Sequence, residues 1–198
     1  MTKQSIRVIR KKEILDAAKK VFLKKGFEKT NMEDIINETS LSKGGFYYYY
    51  KNTVDILHDL MREGIEYRMN KMIEFMASYS RKLDKNALAE MLVDKMLDES
   101  ELMSIYIIYL QAIKNNLELK KLYPVLVKET LSLAYNEFNH ESFKDFNYYV
   151  ESFIVYFMNT IMLGCEIIDA RENFVKNREF FVEITKLCFD WYEQGKIQ

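Results

Sequence analysis

The sequence predicts an all-α protein: a small N-terminal three-helix domain followed by a larger helical body. Three observations carry this. Apolar residues recur three and four positions apart along most of the chain, as one face of an α-helix requires. Only six glycines and one proline occur in 198 residues, too few for the many turns of a sandwich or barrel. Finally, 48% hydrophobic and 30% charged residues is the composition of a chain that folds rather than one that stays disordered.

The elements follow in order. Ile14, Ala17, Ala18, Val21 and Phe22 line one face of a first helix, which Gly26 ends as a C-terminal cap. The preceding "RVIRKK" reads either as a basic arm for a minor groove or as disorder. Thr30 followed by Glu33 has capping-box spacing and opens a short second helix running to Thr39. Ser42 caps a third short helix over 43–50. A long fourth helix starts after Asn52-Thr53, with Leu57, Leu60, Met61, Ile65, Met69, Met72, Ile73, Met76 and Tyr79 on its apolar side. Further helices are predicted near 85–98, 101–114, 118–138, 142–169 and 173–194, for about nine in all. Pro124 belongs in a first turn or at a kink.

Charge is unevenly distributed. Residues 1–53 hold 12 Lys and Arg against 6 Asp and Glu, a balance of +6, whereas residues 54–198 carry −7. A basic head on an acidic body points to a polyanionic partner for the head. The expected division is a basic domain over 1–53 that meets a polyanion and a helical body over 54–198.

The stretch "SLSKGGFYYYYKN", residues 40–52, suits that role. Two short helices joined by "TSLS" form a helix-turn-helix. Its second helix must enter a groove about 12 Å wide, and Gly44 and Gly45 let the backbone come close while Lys43 supplies a charged donor. Phe46, Tyr49 and Tyr50 fall three and four residues apart and are expected to pack inward, with Tyr49 also available to phosphate. Tyr47 and Tyr48 point elsewhere, where phenol hydroxyls reach phosphates and rings pack on thymine methyls. Lys19, Lys20, Lys24 and Lys25 read as a solvated face.

Residues 10–57, "RKKEILDAAKKVFLKKGFEKTNMEDIINETSLSKGGFYYYYKNTVDIL", resemble the DNA-binding domain of the TetR family of repressors. Ile14, Leu15, Ala17, Ala18, Phe22, Gly26, Phe27, Thr30, Ile35, Ser42, Gly44, Phe46, Tyr47 and Tyr49 fall at the family's fixed spacing. The resemblance implies a dimeric, ligand-responsive repressor on a palindromic operator. Carried over by position, Lys43, Gly44, Gly45 and Tyr47 would face bases behind the Ser42 cap. Thr30, Asn31, Tyr48, Tyr49 and Lys51 would meet phosphates, the first two from a helix N-terminus. Four residues depart from the pattern. Ser40 replaces the usual turn glycine, where a left-handed backbone would cost ~1 kcal/mol. Ile36 replaces a small alanine, Gly45 a hydroxyl residue, and Thr53 a lysine.

The body offers a candidate effector pocket in the stripes Phe75, Met76, Tyr79, Met103, Tyr106, Tyr109, Leu110, Tyr123, Tyr135, Phe157 and Met162. The same spacing is that of ordinary core. Its last two helices are apolar on more than one side and need cover on more than one side. A second subunit is expected there, against Phe153, Ile154, Phe157, Ile161, Cys165, Ile184, Cys188 and Trp191.

Cys165 and Cys188 are isolated, so neither a disulfide framework nor a zinc site is expected. No secretory leader is evident, and the longest charge-free apolar stretch, 152–165, is shorter than the ~20 residues of a bilayer span. The expected location is cytoplasmic. Asp55-x-x-His58 and Glu137-x-x-His140 resemble the carboxylate-x-x-His pairs of di-iron bundles, the alternative reading. No nucleophile or phosphate-loop motif is present, and no catalytic residue, metal or cofactor is expected.

Overall fold

The computed structural model describes residues 3–78, 84–137 and 153–196. Among them are ten helices and no strands. The chain divides into two compact units, Met1–Gly64 with Ser100–Leu126, and Ile65–Glu99 with Val127–Gln198.

In the first unit, α1 (Lys3–Lys25), α2 (Met32–Ile36), α3 (Lys43–Tyr49) and the first part of α4 (Thr53–Ser78) are joined by α6 (Glu101–Ala112) and the start of α7 (Leu117–Glu137). The core holds Ile14, Phe22, Ile35, Phe46, Leu57, Leu60, Ile105 and Leu119, all fully buried. α1 packs on α2 and on α6. It ends at Gly26, whose φ of +76° is the left-handed conformation that glycine adopts without strain, and whose N–H returns to the Phe22 carbonyl at 2.8 Å. The segment "RVIRKK" is neither arm nor disorder, since it lies within α1. Arg10 pairs with Glu13, and Lys11 with Asp59 at 2.7 Å, tying these turns to the rest of the unit.

The N-terminus of α2 is displaced by one residue from the expected box. The Thr30 hydroxyl turns back to donate to the Gly26 carbonyl at 2.7 Å, and Asn31 takes the cap. Its Oδ1 accepts the Asp34 N–H, and the Asp34 carboxylate accepts the Asn31 N–H, each at 2.9 Å. The helix ends at Ile36, short of Thr39, whose hydroxyl donates to the Ile36 carbonyl. Pro124 lies inside α7 rather than in its first turn.

In the second unit, α5 (Lys85–Met96) is packed by α10 (Arg178–Glu193) and α8 (Phe153–Ile167), with α9 (Arg171–Lys176) against both α8 and α10. Ala87, Ala89, Val93 and Met96 of α5 are buried, as are Val182, Thr185 and Phe189 of α10. Lys85 bridges Asp190 at 2.6 Å and Glu193 at 2.9 Å, and Arg178 pairs with Asp94 at 2.7 Å. Arg171 closes the C-terminus of α5, donating to the Leu97 carbonyl at 2.8 Å and to the Asp98 carbonyl, while also pairing with Glu166. Free carbonyls at a helix end are satisfied this way.

The segment expected as one helix over 173–194 is two, broken at Asn177 (φ −107°, ψ 25°). Arg171 and Glu172, expected in a connection, begin α9. A side chain at Gly164 would put its Cβ 3.2 Å from the Phe174 ring, so the glycine lets α9 fold back onto α8.

Candidate nucleic-acid interface

The α2–turn–α3 segment is built from its caps outward. Ser42 is extended (φ −67°, ψ 156°), and its Oγ accepts the Gly45 N–H at 3.2 Å, starting α3. A Cβ at Gly45 would lie 3.2 Å from that same Oγ, so glycine here also protects the cap; a Cβ at Gly44 would meet open space. Phe46 and Tyr50 are buried, which orients the helix. Lys43, Gly44 and Tyr48 are left exposed, Tyr48 at 71%. Tyr47 and Tyr49 are half-buried, and Tyr49 meets Tyr48 edge-on at 5.2 Å.

Two clusters hold α3 in place. The Glu13 carboxylate accepts the Ser40 N–H at 2.6 Å, while Arg10 donates to the Ser40 hydroxyl at 2.8 Å. The bonds from Ser40, then Arg10, hold the Glu13 carboxyl at about 2, well below its ordinary range. Ser40 itself has a negative φ, since Asp169 alone among the described non-glycine residues is positive. The expected left-handed cost at Ser40 does not arise, because its two hydrogen bonds stabilise the turn without that geometry.

The second cluster centres on Asp59, which accepts from the Tyr50 hydroxyl at 2.8 Å and pairs with Lys11 at 2.7 Å. Burial opposes the charge on Asp59, but the bonds from Lys11 and Tyr50 outweigh it and hold the carboxyl below its usual value. Burial, and then the bond to Asp59, push the Tyr50 phenol well up. The Lys11 ammonium also lies 5.8 Å from the centre of the Tyr50 ring.

The outward charges are already engaged. Lys43 Nζ lies 2.5 Å from Glu33 Oε1, with both side chains about two-thirds exposed (64% and 66%). The hydrogen bond between them raises the Lys43 ammonium and lowers the Glu33 carboxyl. Lys51 Nζ donates to the Tyr47 carbonyl at 2.5 Å, at the end of α3. Lys25 pairs with Asp34 at 2.6 Å, and Lys19 with Glu63 at 3.0 Å. Thr30 is buried, and Asn31 is exposed with its side-chain oxygen committed to the α2 cap.

This geometry is that of a helix-turn-helix with an outward second helix, and its residues match a known domain. Residues 14–60 fit the family model described as bacterial regulatory proteins, tetR family. Residues 14–60 therefore carry a DNA-binding domain of the TetR type.

The chain is also similar to the uncharacterized HTH-type transcriptional regulator YfiR of Bacillus subtilis (strain 168), 40% identical over 63 residues, 32% of this chain and 31% of that one. The uncharacterized HTH-type transcriptional regulator YerO of the same organism is 25% identical over 173 residues, 82% of this chain and 60% of that one. A third, the uncharacterized HTH-type transcriptional regulator in lacX 3'region of Lactococcus lactis subsp. lactis, is 45% identical over 40 residues, 20% of each chain. The matches span less than two thirds of each relative's length.

The candidate pocket residues fall in both units. In the first, Met103 and Tyr109 are buried, and the Tyr109 hydroxyl donates to the Leu119 carbonyl at 3.0 Å. Tyr106, Leu110 and Tyr123 are half-buried. In the second, Met162 is buried, and Phe75, Met76 and Phe157 are half-buried. Tyr79 and the Tyr135 side chain lie outside the described residues. A groove of about 310 Å³ in the first unit lies between the 25–29 turn and α6, and none of the candidate pocket residues lines it.

Among the candidate interface residues, Ile154 and Cys165 are buried within the second unit itself. Phe157, Ile161, Ile184 and Cys188 are half-buried, while Phe153 and Trp191 are exposed. Tyr156, Phe180 and Leu187 are also exposed, Tyr156 spaced in line with Phe153 and the other two in line with Trp191.

Asp55 is exposed on α4, and His58 Nε2 is buried without a hydrogen-bond partner. The Glu137 side chain and His140 lie outside the described residues. Among the described residues, no three His, Cys, Asp or Glu side chains gather to hold a metal, and no helix is long and apolar enough to cross a membrane.

Proposed function

We propose that the protein is a DNA-binding transcriptional regulator, a homodimeric repressor released from a palindromic operator by a small, largely apolar molecule. One observation carries the DNA-binding part: α3 is held by buried Phe46 and Tyr50 while Lys43, Gly44 and Tyr48 face solvent. A helix anchored on one side and lined with small and donor residues on the other suits a major groove. Lys43, Gly44, Gly45 and Tyr47 read bases. Asn31, Tyr48, Tyr49 and Lys51 meet phosphates, the lysine by exchanging its bond to the Tyr47 carbonyl. Thr30 supports the same surface from beneath.

Pairing of two subunits is supported by exposed apolar residues on the last long helices, Phe153 and Tyr156 on α8, and Phe180, Leu187 and Trp191 on α10. Large apolar side chains left exposed along these helices are candidates for cover by a partner. Two recognition helices in such a dimer would lie about 34–36 Å apart on one face of the duplex. The effector enters the helical body and shifts α4, which runs directly on from the DNA-binding helices, so that effector and DNA weaken each other by the same factor. Gel-shift titration with a pool of palindromic duplexes at low salt tests this reading. The expected result is a dimer complex that apolar compounds dissociate; absence of any complex contradicts it.

A further inference from the structure

An acid of α2 stands beside the start of α3, where a polyanion should repel one. Glu33, in the first turn of α2, is two-thirds exposed and sits beside the leading residue of α3 with its Oε1 2.5 Å from Lys43 Nζ. As an exposed surface ion pair, screened by solvent, it adds little to the stability of the fold. Each neighbouring phosphate would disfavour the carboxylate. Folding alone gives little reason for this arrangement.

Base-pair chemistry supplies one. In the major groove, every pair presents one keto oxygen and one amino group side by side: O6 of G beside N4 of C, or O4 of T beside N6 of A. These two atoms are joined by the pair's own N–H···O bond and lie about 2.9 Å apart. An ammonium and a carboxylate at nearly that separation are complementary to them, the ammonium donating to the keto oxygen and the carboxylate accepting from the amino group.

We infer that Glu33 and Lys43 act as one composite reading head for a single base pair in each half-site, Lys43 over the keto base and Glu33 over the amino base. This rests on the proposed docking of α3 in the major groove. The pair reads keto–amino order, favouring G·C and T·A over C·G and A·T. Between the two accepted pairs G·C is preferred, because guanine adds an N7 acceptor for Lys43, whereas thymine sets an apolar methyl beside the ammonium. Glu33 thereby lowers affinity for duplex in general and sharpens the choice at one position.

The test is selection of duplexes from a random pool by the full-length wild-type protein and by Glu33→Gln. Glutamine keeps the shape but both donates and accepts, so it no longer demands an amino group. The wild type should yield a motif with one keto base, mostly G, fixed on one strand of each half-site. Glu33→Gln should keep the rest of the motif and lose on the order of tenfold discrimination at that pair. It should also bind unrelated duplex more tightly, with thermal stability unchanged. A Glu33→Gln motif identical to the wild type's, with only a uniform change in affinity, overturns the inference and leaves the docking of α3 standing. A motif altered at every position assigns Glu33 a merely structural role and overturns it too. No motif from the wild type removes the docking itself, and with it the inference.

Discussion

The Glu13 carboxylate of α1 accepts the Ser40 backbone N–H at 2.6 Å, across 27 residues of chain, and so fixes the turn that aims α3. Its carboxyl is held at about 2 against an ordinary 4.5. The stabilisation is therefore fully present above the unfolded-state value of 4.5 and is lost as pH falls from there towards 2. Thermal unfolding between pH 7 and pH 2 should show a steeper acid loss for the wild type than for Glu13→Gln, the two curves converging at the acid end. Ser40→Gly should lower the melting temperature slightly, since φ is negative there and glycine brings only flexibility and the loss of the Arg10 bond. A gain in melting temperature for Ser40→Gly would contradict the turn geometry.

Lys43 and Lys51 should separate in binding experiments. Lys43→Ala is expected to cost ~1–3 kcal/mol on the best operator and far less on unrelated duplex, as loss of a base contact does. Lys51→Ala should weaken all sequences alike and reduce the slope of log affinity against log salt by about 0.9, one phosphate's worth. Fluorescence anisotropy at several salt concentrations distinguishes the two. Equal losses on every sequence for both lysines would remove Lys43 from base readout.

Tyr50 joins packing to charge. Its ring is buried at the end of α3, and its hydroxyl donates to Asp59. Tyr50→Phe should cost ~1–2 kcal/mol in urea unfolding, in line with a hydrogen bond to a charged acceptor. The loss should be partial because Lys11 still pairs with Asp59. Phe46→Ala, which empties a fully buried site, should cost more, ~3–5 kcal/mol.

Phe180 and Trp191 are exposed at 64% and 45% on one long helix. If a second copy covers them, Phe180→Glu should raise the dimer dissociation constant by at least about 30-fold, the equivalent of ~2 kcal/mol of lost apolar burial. Sedimentation velocity should show the monomer, with far-ultraviolet circular dichroism unchanged. A Phe180→Glu protein that remains a dimer at low micromolar concentration would place the interface elsewhere.

Local chemistry made much of the N-terminal unit legible. Gly26 as a C-cap and Ser42 as an N-cap follow from backbone preferences that need no partner, and Phe46 and Tyr50 from helical spacing. What lay beyond reach depended on contacts distant in sequence. Nothing near Ser40 announces Glu13, and nothing near Lys43 announces Glu33. Thr30 and Asn31 are both capping residues, and only the pull of the Gly26 carbonyl on the Thr30 hydroxyl decides between them. In the body, α8 and α10 are apolar on several sides, so periodicity could not tell buried Ile154 and Cys165 from exposed Tyr156 and Phe180. The break at Asn177 falls within an unbroken helical pattern, and the close approach of Phe174 to Gly164 accompanies it.

The docking of α3 is tested most directly by methylation interference on a selected duplex. Methyl groups on guanine N7 project into the major groove, and those on adenine N3 into the minor groove. Interference is expected from guanine N7 in two clusters one helical turn apart, about 34–36 Å, one for each copy of Lys43–Tyr49. Interference from adenine N3 alone, or binding indifferent to both, would contradict it.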